Sequence, residues 1–467
     1  MNMPLDKKLS LKALKLSVYG YYGIGKVLNK AFSESDKTII NRCVFFPEVS
    51  NAGTLGDLVN RISWYLPKSI YSRANIYILV NEKLLSTELE SLPVPSSQQN
   101  YAKRSNIKLI KRDKLNLSMV DAIMLWDKKH MLEPAILRHM HKVRIVDPTY
   151  YFSVEAETYQ RLYFATLEPS VKEYFDEISK SNYQTLLNNV KKYERAYVFG
   201  TGPSLEKFGM DFDYSDGFRI VCNSIIINKK LMNHIKPHLL VFGDAQHHSS
   251  PCIYSEIFRK AAIESVHETG CYVLTKDYFL PLFLEHYPEI KDKVIGIEAP
   301  GVWDLSLKEI LFMLLRRPHK LPWFTKIPGH DEEYNFPNLE KFYLRSLGSV
   351  LPSYMIPVAS SCCDYIYILG ADGRDPGGRK PDETYIWEYS SSCQFDEQTA
   401  FDTHPSYFRD RPYTEDFDIY CENFDGLIRY GESLGKKYYS LAPSHIPSLA
   451  QRLVSHKTPH QKNIQKI

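Results

Sequence analysis

Twice along this chain, short β-branched runs alternate with stretches whose apolar residues recur every three or four positions. That alternation permits few folds other than a parallel sheet covered by helices. The first series predicts strands at Thr38 to Phe46, Ala74 to Val80, Ile107 to Ile110, Ala122 to Trp126 and Val143 to Val146. Helix-like stretches lie between them, such as Leu55 to Leu66, with Leu58, Val59, Ile62 and Leu66 on one face, and Met131 to Met140. The second series predicts strands at Ala196 to Phe199, Phe218 to Cys222, Leu239 to Phe242, Cys271 to Thr275, Val294 to Ile297, Tyr365 to Leu369 and Tyr438 to Leu441. At 467 residues the chain exceeds what one growing core serves, so two α/β domains with mostly parallel sheets are expected.

The expected division is an N-terminal Rossmann-like domain over 1–155, a helical connector over 156–192, a nucleotide-binding Rossmann-like domain over 193–450 and a basic tail over 451–467. Segment 82–105 reads as surface loop, and 316–340, with four prolines, as loop or lid. No internal repeat is visible.

A formal charge of +3 with interspersed acids gives no electrostatic footprint for nucleic acid. Lys7-Lys8 and the tail lysines are the local exceptions, fitting a solvated tail or a peripheral contact with anionic lipid. Eight cysteines form no CxxC pair and no regular spacing, so neither zinc nor a disulfide framework is expected. The start of the chain does not read as a secretory signal, and no stretch approaches ~18 uncharged apolar residues. The expectation is a cytoplasmic protein with reduced thiols.

The most informative segment is AYVFGTGPSLEKF, where a strand runs into Gly200-Thr201-Gly202-Pro203-Ser204 and then a helix. Glycines leave room for a phosphate or ribose against the backbone, and the N–H groups opening a helix suit an anion. An ordinary tight strand-to-helix turn uses the same letters. Asn223 and Asp244 follow the next two strands, and in open parallel sheets ligands bind at that carboxyl edge. Either residue could also cap a helix. Arg345-Ser346-Leu347-Gly348-Ser349 opens a helical run over Val350 to Cys363, and Gly370 and Asp372 end the strand that follows. Beyond it, Arg374 and Arg379 could neutralise a phosphate leaving group without a metal, or belong to a solvated loop. His404, in Asp402-Thr403-His404-Pro405-Ser406, is the favoured general base, with His247 and His248 as rivals.

These pieces, in this order, resemble the bacterial sialyltransferases of glycosyltransferase family 42 and the wider MptE-like group of Rossmann proteins, over about residues 195–445. The resemblance rests on Gly200 to Leu205, Cys222-Asn223, Arg345 with Gly348-Ser349, the strand ending at Gly370 with Asp372, and the histidine segment. It implies a glycosyltransferase-like arrangement around a central cleft. It further implies that the glycine turn and Asn223 hold the cytidine monophosphate of a nucleotide-sugar donor, that Arg345 and Ser349 line the donor site, and that His404 deprotonates a glycan or glycolipid acceptor. No cofactor is implied, because one or two hydrogen-bond donors can stabilise a departing monophosphate. The expected setting is surface polysaccharide synthesis at the inner face of a membrane. The family places two tyrosines soon after its Gly-x-Asp, whereas the first here is Tyr385, so a sialic acid and a Kdo-like donor are both open. Asp244, which from its strand end could hydrogen-bond a hydroxyl, is the second catalytic candidate beside His404. The alternatives are magnesium-dependent pyrophosphate transfer from ATP and a non-catalytic nucleotide-binding protein.

Overall fold

A computed structural model describes residues 39–101, 106–139, 142–148, 154–298, 334–345, 347, 349–374, 390–393 and 415–454. In chain order, the first unit contains β1 (Arg42–Val49), α1 (Ala52–Tyr65), β2 (Asn75–Val80), β3 (Ile107–Ile110), β4 (Ala122–Leu125), α2 (Pro134–Arg138) and β5 (Val143–Ile145). Two helices follow, α3 (Val154–Ala165) and α4 (Pro169–Val190). The second unit contains β6 (Arg195–Phe199), α5 (Pro203–Phe208), β7 (Phe218–Cys222), α6 (Lys229–Ile235), β8 (Leu239–Val241), α7 (Ala245–Ser249), α8 (Ile253–Thr269), β9 (Tyr272–Lys276), α9 (Leu280–His286) and β10 (Val294–Ile297). It ends with α10 (Ile356–Cys362), β11 (Tyr365–Leu369), α11 (Glu415–Ser433), β12 (Lys437–Ser440) and α12 (Pro447–Ala450).

The fold is α/β with two parallel sheets, ordered β3-β2-β1-β4-β5 and β10-β9-β8-β7-β6-β11-β12. Both orders reverse beside their first strand, as in doubly wound Rossmann-like folds. Alternation along β1 gives the first sheet two apolar faces. Cys43 and Phe45 join the core that continues into the second sheet, and Val44 and Phe46 form a smaller core with Met131 and Ile136. The units meet along α1, where Trp64 donates its indole N–H to the Ser249 carbonyl at 2.6 Å between the Arg259 guanidinium and the His286 ring.

Three expected elements differ in detail. β1 continues past Phe46 because Pro47 is accommodated where the β1–β2 register shifts, between Phe45 and Val49. The connector is two helices: Pro169 holds Glu168 extended and opens α4, while Thr166 bonds back to the Tyr163 carbonyl. The run from Val350 opens with a π-helical turn over Leu351–Met355, since Pro357 has no N–H for the Ser353 carbonyl.

Candidate active site

The carboxyl edge of the larger sheet is set by strand register. Phe199 pairs with Leu369, so Gly200 and Gly370 are the next residues to meet. Cys222, Val241 and Leu274 share one row, which puts Asn223, Asp244 and Lys276 on three consecutive strand ends.

At the β6–β11 junction the backbones close on each other. The Gly200 N–H donates to Leu369 at 2.8 Å, and the Gly202 N–H to the Gly370 carbonyl at 2.9 Å. Asp372 accepts the Ser204 N–H at 3.0 Å and the Ser204 hydroxyl at 2.8 Å. Gly370 has φ +76°, and a Cβ on Gly200 or Gly370 would enter the other's carbonyl oxygen. A Cβ on Gly202 would meet the Asp372 carboxylate. This corrects the expectation of bare amides at positions 200–204: those of Gly200, Gly202 and Ser204 already have protein partners. The glycines allow close backbone approach, and Asp372 serves the first turn of α5, whose Pro203 has no N–H to offer. Burial pushes the Asp372 carboxyl above its ordinary value, against the pull of the Ser204 bonds. Ser390 covers the turn, donating its N–H to the Thr201 carbonyl at 2.6 Å and its hydroxyl to Glu206 at 2.7 Å.

One strand away the edge changes character. Asn223 adopts a left-handed φ of +48°, and its buried side-chain oxygen has no hydrogen-bond partner among the described residues. Asp244 caps α7, its Oδ1 accepting the N–H groups of Gln246 and His247 at 3.0 and 3.2 Å and facing His247 Nδ1 at 3.1 Å. Burial alone would raise the Asp244 carboxyl, but His247, through its ring and its backbone N–H, holds it well below the carboxylate range. His248 Nδ1 accepts the Asp244 N–H at 3.1 Å, and burial lowers that imidazole to about 3, keeping it neutral.

Lys276, ending β9, points toward α3. Glu157 Oε1 on that helix accepts the Tyr278 hydroxyl at 2.8 Å and Arg161 at 3.1 Å, and lies 3.6 Å from Lys276 Nζ. Burial opposes its charge, but Lys276 and Arg161 prevail and hold the Glu157 carboxyl below its ordinary value. Tyr354, in the π turn, is buried against Gly243, so this turn faces the same edge.

The other expected residues divide. Ser349 opens the π turn, its carbonyl accepting the Ser353 N–H at 3.1 Å. Arg345 stacks 4.7 Å from the Tyr334 ring, whose hydroxyl bonds to Asn423 on α11. Arg374 is buried, its guanidinium 5.6 Å from the Phe417 ring on the same helix. Gly348, Arg379, Tyr385 and His404 lie outside the described residues. Glu157, Arg161, Lys276, Tyr278 and Tyr354 were not singled out in sequence. The signal for Lys276 was a charged pair, Lys276-Asp277, directly after an apolar strand. For Glu157 and Arg161 the i,i+4 spacing looked like a solvated helix face.

No family model and no curated protein matches the chain. Three solved chains are similar. A point variant of the sialyltransferase CST-II in complex with CMP is 14% identical over 55% of this chain and 84% of that one, with a TM-score of 0.31. CST-II with a trisaccharide acceptor and CMP is 13% identical over 57% and 89%, with a TM-score of 0.30. CstII from Campylobacter jejuni with cytidine-5'-monophosphate is 14% identical over 57% and 88%, with a TM-score of 0.27. Likeness this slight assigns neither a substrate nor a site. Among the described residues no helix is long and apolar enough to cross a membrane.

Proposed function

We propose that this protein transfers an acidic sugar from a CMP-activated donor to a glycan acceptor, without a metal, at the carboxyl edge of β7, β8 and β9. The observation that carries the reading is Asn223. It follows the end of β7 with a left-handed backbone, and its side-chain oxygen is buried without a partner among the described residues. A buried acceptor left unpaired costs about 1–3 kcal/mol, and a ribose hydroxyl or cytosine amino group would satisfy it. The sequence motifs support the nucleotide class, since Asn223 sits where the sialyltransferase-like pattern holds CMP.

In this reading the Gly200–Ser204 turn with Gly370 and Asp372 sets the floor beside the nucleotide rather than cradling its phosphate with free amides. The contacts of Asp244 given above fall on Oδ1, so Oδ2 is the oxygen to receive a substrate hydroxyl while His247 holds the carboxylate in place. Ser349 and Arg345 bound the donor side, Arg374, Arg379 and Tyr385 are the candidates around the leaving phosphate, and His404 is the residue to take the acceptor proton.

Thermal unfolding in EDTA tests it. CMP near 100 times its dissociation constant stabilises the protein by about 2.7 kcal/mol while UDP at the same concentration does not. In Asn223→Gly, which keeps the left-handed backbone, the CMP response falls at least about tenfold in affinity. Unchanged melting with CMP in the parent protein, or an undiminished response in the variant, refutes the assignment.

A further inference from the structure

Lys276 is held in an environment that its protein neighbours do not complete. Its side chain is only 17% exposed, yet its nearest carboxylate oxygen, Glu157 Oε1, lies at 3.6 Å, beyond hydrogen-bond distance. That oxygen already receives the Tyr278 hydroxyl and Arg161. An ammonium carries three N–H donors, and among the described residues none finds an acceptor. Nζ lies 5.4 Å from the Tyr278 ring and keeps some exposure, so a further acceptor can reach it. Burial pushes Lys276 down, but Glu157 and Tyr354 hold it above its ordinary value, so it stays charged.

Its position gives that cation a use. Lys276 ends the strand next to β8, beside the Asp244 edge, and α3 places the Arg161 guanidinium against the Tyr278 ring at 4.5 Å. Lys276 and Arg161 both lie against Glu157 on the α3 side, while Asp244 on the other side is engaged with His247.

We propose that Lys276, backed by Arg161, anchors an anion subsite between α3 and the end of β9, taking the carboxylate or phosphate oxygens of the ligand held at this edge. With the proposed function this group is the carboxylate of the acidic sugar, and in that form the inference rests on that reading. Lysine acts here as a point charge, so the oxygens gather around Nζ while Glu157 keeps Arg161 and Tyr278 in place.

The test measures binding of N-acetylneuraminate, inorganic phosphate and CMP, each separately, by calorimetry to the full chain and to two variants whose folding is checked by melting. Lys276→Gln weakens binding of the anion that occupies the subsite at least about tenfold. Glu157→Gln, which removes the competing carboxylate, leaves that binding unchanged or tightens it. Dependence on Lys276 seen with N-acetylneuraminate assigns a carboxylate, and seen with phosphate alone it assigns a phosphate. If both anions bind the folded Lys276→Gln protein as they bind the parent, or neither binds the parent at millimolar concentration, the subsite does not exist. If CMP fails to bind while a Lys276-dependent anion does, the subsite stands and the CMP-sugar reading falls.

Discussion

Two adjoining stretches of one sheet edge have opposite characters. At the β6–β11 junction, where strand order reverses and a doubly wound sheet would open its ligand crevice, Gly200 bonds to Leu369, and Gly202, Ser204, Gly370 and Asp372 bond to one another. At the ends of β7 to β9, Asn223 keeps a buried oxygen unpaired and Lys276 an ammonium without a hydrogen bond among the described residues. The lesson is that glycine at a strand end can mean a backbone approached by a ligand or a backbone approached by a backbone. The hydrogen-bond count tells them apart, since buried polar groups are almost always paired. Here that count moves the candidate ligand edge away from the motif that first draws attention.

The largest test of the contrast exchanges glycines. Gly370→Ala adds a Cβ at positive φ against the Gly200 carbonyl, and costs at least about 3 kcal/mol in urea unfolding, from backbone strain and overpacking together. Gly243→Ala, whose Cβ would lie 3.4 Å from Tyr354 in ordinary contact, costs under about 1 kcal/mol. Equal costs would erase the distinction between a closed junction and an open edge.

The two carboxylates sharpen it with opposite pH signs. Asp372 has a raised folded value, so ionisation weakens the fold as pH rises above about 3.9; Asp372→Asn is therefore most damaging in acid and least at pH 7. Asp244 has a depressed value, so its charge contributes fully above about 3.9 and that contribution shrinks as pH falls from there toward the lower folded value; Asp244→Asn is most damaging at pH 7 and somewhat less so at pH 3. Urea midpoints of the three proteins between pH 3 and 7 check this, and parallel curves for the two variants would contradict it.

The smallest effect is on stability alone in Asn223→Gly. Removing an unpaired buried acceptor while keeping φ +48° changes unfolding by no more than about 0.5 kcal/mol. A loss above about 2 kcal/mol would mean that the side chain holds the fold together rather than facing a ligand.

Sequence patterning carried the architecture further than the chemistry. All twelve strands among the described residues stand where apolar runs between polar spacers predict them, because period and β-branching are local properties. The misplacements are also local: the expected strand stops at Phe46 but β1 runs on through Pro47, where the register shifts, and the expected helical run from Val350 opens with a widened turn ahead of Pro357. The role of Asp372 was not legible, because its partner Ser204 is 168 positions away. Lys276 and Glu157 were hidden for the same reason, one looking like a strand end and the other like half of an ordinary i,i+4 pair on a helix. Motif letters name a turn, whereas its occupant is decided by what the fold brings beside it.

Amide hydrogen exchange of the ligand-free protein, followed by the same measurement with CMP, tests the closed junction most directly. The structure predicts slow exchange at Gly200, Gly202 and Ser204 before any ligand is added, with new protection on adding CMP confined to segments around 223–228 and 243–249. Fast exchange at 200–204 that slows only with CMP would mean that the glycine turn is itself the nucleotide seat, and would contradict the account.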